Sequence, residues 1–146
     1  MADDFVLKSV HDSTELRFTG EVPHDLEGYD GTTFHVGLIG PVGASVDVYD
    51  IHVEHWAAFF QDLAANWRGW VGTKTADSLE GHLRLAATSD HAGHIAFRVR
   101  LRGMLAQDDW LAEVNIHLEA GQLDRIAIAA ARYFGKQRSD LTGGKP

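Results

Sequence analysis

The sequence predicts an α+β fold: about seven mostly antiparallel strands and two amphipathic helices, in the order four strands, helix, three strands, helix. Three observations carry this. Apolar residues alternate with polar ones over Leu79–Leu118, the period of half-buried strands. Two stretches, Trp56–Trp67 and Leu123–Phe134, instead repeat their apolar residues at helical spacing. Gly, Asp, Asn and Ser clusters punctuate the segments between them. At 146 residues the chain is the size of one domain, read as residues 1–135 with a frayed tail at 136–146.

Phe5–Val10 and Glu15–Thr19 read as a first hairpin turned by His11-Asp12-Ser13. Residues 20–31, with Pro23, three glycines and four acids, read as a loop. Phe34, Val36 and Leu38 then alternate as in a strand, and Gly40-Pro41-Val42-Gly43 turns the chain. In the next strand Val46 and Val48 share one face and Ile51 and Val53 the other, which predicts a bulge near Tyr49-Asp50. Trp56, Phe59, Phe60, Leu63, Ala64 and Trp67 form one helical stripe, followed by Arg68 at the negative helix end and Gly69 in the left-handed position. Trp70 lies beyond that stripe.

In the second half, Leu79, Gly81, Leu83, Leu85 and Ala87 share a face, as do Ile95, Phe97, Val99 and Leu101, and then Trp110, Ala112, Val114, Ile116 and Leu118. Matching the last two rows pairs Leu101 with Ala112, Val99 with Val114 and Phe97 with Ile116. That register sets Arg100 opposite Glu113 and His94 opposite Glu119. A one-residue slip would turn the whole apolar row to water, so the register is strongly specified. Leu123, Ile126, Ala127, Ala130 and Phe134 form the second helical stripe, ended by Gly135. Both helices are expected on the apolar side of the Leu79–Leu118 meander. No internal sequence repeat or low-complexity tract interrupts this plan.

The chemistry-bearing motifs are mostly near misses. His52-Val53-Glu54-His55 has neither order of the zinc-protease motif, and His91 and His94 flank a turn without a third ligand. Gly69–Thr75 lacks the Gly-Lys-Ser/Thr ending of a phosphate loop, and around Ser45 a nucleophile elbow would need glycine where Asp47 stands. Arg98, Arg100 and Arg102 lie beside Glu80, Glu113 and Glu119, so mutual neutralisation is expected before anion binding. With no cysteine there is no disulfide framework or thiolate site. No catalytic residue, cofactor or metal site is expected.

Charge is the sharper signal. The net charge is −8, and its distribution is lopsided. Residues 1–66 hold twelve Asp and Glu against Lys8 and Arg17, and so carry −10; residues 67–146 hold nine acids against eleven bases, and so carry +2. An acidic half repels phosphate backbones and attracts basic proteins. Acidic loops also serve solubility alone. No apolar run reaches membrane-spanning length and the N-terminus is no signal peptide, so a cytoplasmic protein is expected, without nucleic-acid or membrane partners.

The motifs Trp67-Arg68-Gly69-Trp70-Val71-Gly72, Ser78-Leu79-Glu80-Gly81-His82-Leu83 and Asp90-His91-Ala92-Gly93-His94 resemble a bacterial family of unknown function, abundant in actinobacterial genomes. The likeness continues through Val99-Arg100-Leu101-Arg102, Trp110 and Leu118-Glu119-Ala120-Gly121-Gln122-Leu123. That family is remotely similar to WapI-type immunity proteins, which neutralise a secreted toxin domain. The resemblance implies a non-catalytic binding protein and transfers no catalytic residues. Joined to the charge asymmetry, it places an expected surface for a basic partner, such as a toxin domain, at Asp25, Glu27, Tyr29 and Asp30, with Asp47, Tyr49 and Asp50. The competing expectation is a small-molecule-binding module or small enzyme with an internal pocket, marked by an apolar opening beside Trp70.

Overall fold

The structure is a computed structural model that describes residues 4–24, 31–104 and 109–135. Its class is α+β, as the sequence predicts, but with eight strands: β1 (Phe5–Lys8), β2 (Glu15–His24), β3 (Gly31–Ile39), β4 (Ala44–Asp50), β5 (Lys74–Asp77), β6 (Leu83–Ser89), β7 (His94–Met104) and β8 (Asp109–Glu119). Helix α1 (Glu54–Ala65) follows β4. Helix α2 (Leu123–Ala130) follows β8 and is continued by a π-helical turn, Ala131–Gly135. Each set of four strands forms its own antiparallel meander, in the orders β1-β2-β3-β4 and β5-β6-β7-β8. The chain is thus one topological unit, four strands and a helix, traced twice without a sequence repeat.

The β7–β8 register is the predicted one. Phe97 faces Ile116, Val99 faces Val114, Leu101 faces Ala112, Arg100 faces Glu113 and His94 faces Glu119. Elsewhere the strands differ from the sequence reading. Backbone pairing passes Gly20 and continues at Val22–His24 opposite Thr33–Gly31, because a register shift between Thr19 and Val22 lets β2 stay paired with β3. Gly20, at φ +65°, occupies that shift. The bulge expected at Tyr49-Asp50 is not there: β3 and β4 pair without a break from Leu38–Ala44 to Thr32–Asp50. The phase change at Ile51 is the strand ending. Ser78–His82 form a turn rather than strand, with Ser78 Oγ accepting from the Leu83 amide at 3.1 Å and Leu79 exposed. The strand the sequence reading lacks is β5, where only Ala76 is buried. Its Lys74 is tied to Asp62 of α1 at 2.9 Å.

The helices do not both cover the second meander. Phe60 of α1 stacks on Phe97 of β7, with centroids 6.0 Å apart at 16°. Phe134, beyond α2, instead enters the first sheet, meeting Phe5, Phe18 and Phe34 edge-on at 6.0, 5.5 and 5.6 Å. Each half therefore inserts an aromatic from its helical segment into the other half's sheet, and all these residues belong to one core. Trp70 is part of it: it is buried, and its indole N–H donates to the Ala87 carbonyl at 3.1 Å. Trp67 departs from the expected stripe because α1 ends before it; it is 51% exposed, with the Arg68 guanidinium over its ring.

Two local devices hold the halves in place. Glu119 and Gln122 form a capping box ahead of α2, the Gln122 amide oxygen accepting from the Glu119 N–H at 2.8 Å. The β1–β2 turn is pinned to β8: the Val10 N–H donates to the His117 carbonyl at 2.8 Å, and the His117 N–H donates to Ser9 Oγ at 3.1 Å.

Candidate functional site

Alternation along β2, β3 and β4 sends Phe18, Val36 and Val48 inward, so Arg17 and Thr19, His35 and Gly37, and Ser45, Asp47 and Tyr49 face out. Two cross-strand rows result: Arg17–Gly37–Ser45 and Thr19–His35–Asp47. Gly37 has no side chain, and its row opens a shallow groove of about 470 Å³ lined by Arg17, His35 and Ser45 among others. His35 Nδ1 lies 2.8 Å from Asp47 Oδ1, so the ring donates there and Nε2 is left toward solvent. The pair is open, Asp47 being 75% exposed, which makes it worth under about 1 kcal/mol to stability. Asp47 is therefore available to a partner at little structural cost.

Tyr49 shares this face. Its ring lies flat over Gly31, where a Cβ would come within 2.6 Å of the ring carbons, so glycine at 31 is what admits the tyrosine. This seats Tyr49, half-buried, next to the residue at which the 25–30 segment rejoins the sheet. Asp25, Glu27, Tyr29 and Asp30 lie outside the described residues.

Asp50 corrects the expected surface. It points inward and is 4% exposed. Its carboxylate accepts from the Trp56 indole N–H at 2.9 Å, His55 Nε2 at 2.8 Å and the Ile51 amide at 3.0 Å. Burial alone would raise its pKa, but these donors outweigh it and hold the carboxyl below the usual range. Asp50 joins β4 to α1 and presents nothing to a partner. Asp47 and Tyr49 share the outer face; Asp50 does not.

The histidines resolve into local roles. His52 faces Glu54 at 3.7 Å. His91 adopts φ +61° in the β6–β7 turn and packs where a Cβ on Gly69 would fall, 2.5 Å from its Nδ1. His94 bonds Asp90 at 2.6 Å, and Asp90 also accepts from the Ala92 and His94 amides, which holds its carboxyl low. His11 and His117 meet edge-on at 4.6 Å beside a second groove of about 400 Å³. Among the described residues no group of three or more His, Cys, Asp or Glu is placed to hold a metal ion.

On the outer face of the second sheet the arginines meet carboxylates, but of the expected partners Glu113 alone is among them, with Asp109 and Asp77 in the places given to Glu80 and Glu119. Arg100 reaches Glu113 at 3.0 Å, Arg98 the same carboxylate at 3.9 Å, Arg102 Asp109 at 3.3 Å and Arg84 Asp77 at 3.4 Å. No helix of the described residues is long and apolar enough to cross a membrane.

A family model described as a family of unknown function (DUF6228) matches residues 7–137. No curated protein matches the sequence. Among solved structures, the plant transcriptional regulator PBF-2 is similar at a TM-score of 0.49 and 10% identity, covering 100% of this chain and 89% of that one.

Proposed function

We propose, for a chain that belongs to this family of unknown function, that it is a non-catalytic binding protein whose acidic first half receives a basic protein, in the manner of an immunity protein masking a toxin domain. The observation that carries the reading is the segregation of charge between the two meanders. The segment that forms the first sheet and α1 carries −10, whereas the arginines of the second sheet are consumed by their own carboxylates. Asp47, exposed on a face whose one arginine, Arg17, is held by Glu15 at 3.1 Å, is the described part of the docking surface. Tyr49 supplies an aromatic anchor beside it, and the proposal assigns Asp25, Glu27, Tyr29 and Asp30, which lie outside the described residues, to the same partner. Acids of this kind steer encounter more than they add affinity.

The test is association kinetics with a basic protein encoded beside this chain's gene, over a range of salt. Neutralising Asp25, Glu27, Asp30 and Asp47 together should slow association about tenfold or more at low salt and flatten its salt dependence. Unchanged kinetics would remove this surface. A second reading has its own observation: the open groove over Gly37 is large enough for a small polar ligand, which would place binding at Arg17, His35 and Ser45.

A further inference from the structure

We propose that the free edge of β8 pairs antiparallel with the same edge of a second copy of this chain, centred on Ala112, joining two four-stranded sheets into one of eight strands. The surface is distinct from the acidic face and does not depend on what that face binds.

The direction of the edge follows from His117. Its N–H and C=O both point away from β7, to Ser9 and Val10 of the β1–β2 turn. In an antiparallel ladder these groups alternate sides along the strand, so Asp109, Leu111, Glu113 and Asn115 point theirs the same way, while the even residues bond into β7. The sheet order ends at β8, and among the described residues no strand lies beside these four. The pinned turn covers the edge only near His117.

Side-chain burial changes at the same place. Ile116 and Leu118, beside the turn, are 0% and 2% exposed, whereas Trp110, Ala112 and Val114 on the same inward row are only half-buried. Leu111 is 56% exposed on the other face. Monomeric proteins guard such edges with charged side chains, above all lysine, and with proline, bulges or shortness. β8 runs eleven residues without lysine, proline or bulge, its Asp109 and Glu113 are paired to Arg102 and Arg100 of β7, and its register against β7 is unbroken.

Charge selects the register. Registers centred on Glu113 or Val114 call on His117, whose backbone is already bonded, and the first also sets Glu113 against itself. A register centred on Leu111 sets Asp109 against Glu113. Centring on Ala112 brings Leu111 opposite Glu113 and Asp109 opposite Asn115, with no like charges facing. Its inward row then matches Trp110 with Val114, an aromatic on a β-branched residue, and covers what the single chain leaves half open.

Sedimentation equilibrium of the full chain should show a concentration-dependent dimer. Glu113→Pro removes one edge-facing N–H at a position where an edge strand tolerates proline, and should weaken the dimer at least tenfold while circular dichroism stays unchanged. The chain has no native cysteine, so register can be read directly. Ala112→Cys should form a disulfide-linked dimer on mild oxidation, as should an equal mixture of Leu111→Cys and Glu113→Cys, but Glu113→Cys alone should not. These cysteine variants stand as the test if Glu113→Pro does not fold. A wild-type chain that stays monomeric at every concentration, or that binds only another protein along this edge, overturns the proposal. So does a dimer that cross-links through Glu113→Cys alone.

Discussion

Replacing Phe134 by alanine would separate an account in which α2's segment seals the first sheet from one in which both helices serve the second. Phe134 is 0% exposed and touches Phe5, Phe18, Phe34 and Tyr133, the last at 4.8 Å. A phenylalanine of this burial removes about 200 Å² from water, which at about 25 cal/mol per Å² is on the order of 5 kcal/mol. Part of the ring's surface is already hidden in the unfolded chain, so about 3–5 kcal/mol is the expected cost. Urea unfolding followed by tryptophan fluorescence measures it, since Trp56 lies within the same core, 6.4 Å from the Phe134 ring. Ile128→Ala is the internal control: on α2, just ahead of the turn that carries Phe134, but 57% exposed, it should cost less than about 0.5 kcal/mol. If Phe134→Ala proved as mild as Ile128→Ala, the reciprocal insertion of aromatics would not be what joins the two halves.

Further outcomes follow from neighbouring contacts. The Tyr133 hydroxyl donates to the Gly20 carbonyl at 2.5 Å, and burial together with the nearby Glu21 and Asp4 carboxylates raises its pKa and keeps it a donor; Tyr133→Phe should cost about 1 kcal/mol in the same urea assay. Trp56 and His55 already share Asp50 Oδ2 while the Ile51 amide takes Oδ1, so Asp50→Asn, with a single acceptor oxygen, sets an NH2 group against one of these donor sets and should cost about 1–3 kcal/mol. Because the folded carboxyl of Asp50 titrates below its unfolded value, its contribution is present above about pH 4 and is lost as pH falls through the lower folded value. Acid denaturation should therefore be shallower in Asp50→Asn than in the wild type. A Cβ on Gly103 would overlap the Trp110 indole, so Gly103→Ala should expose Trp110 and shift its emission to the red.

How much was legible in the sequence depended on how far each segment was buried on one face. β7 and β8 could be registered residue by residue because every second side chain of β7 is fully covered. β5 left no such trace: an edge strand of four residues with one buried alanine has no period to read. The extension of β2 past Gly20 was hidden because a register shift looks, in sequence, like the start of a loop. Asp50 was misplaced for a different reason. Val46 and Val48 already set the inward phase, and continuing it puts Asp50 inside; the signal was an acid on the apolar phase, and its donors sit five and six residues on. The resembled motifs likewise turn out to be structural: Leu118–Leu123 contains a capping box, Gly69 admits His91, and Trp70 is core. Such residues mark a fold.

The claim that a basic protein docks on the first half is tested most directly by amide hydrogen exchange, with and without that protein bound. Protection should rise along β3 and β4 around His35–Tyr49 and across residues 25–30, and stay unchanged on the arginine face of β6 and β7. Protection confined to the second sheet, or none on β4 in a saturated complex, would contradict it.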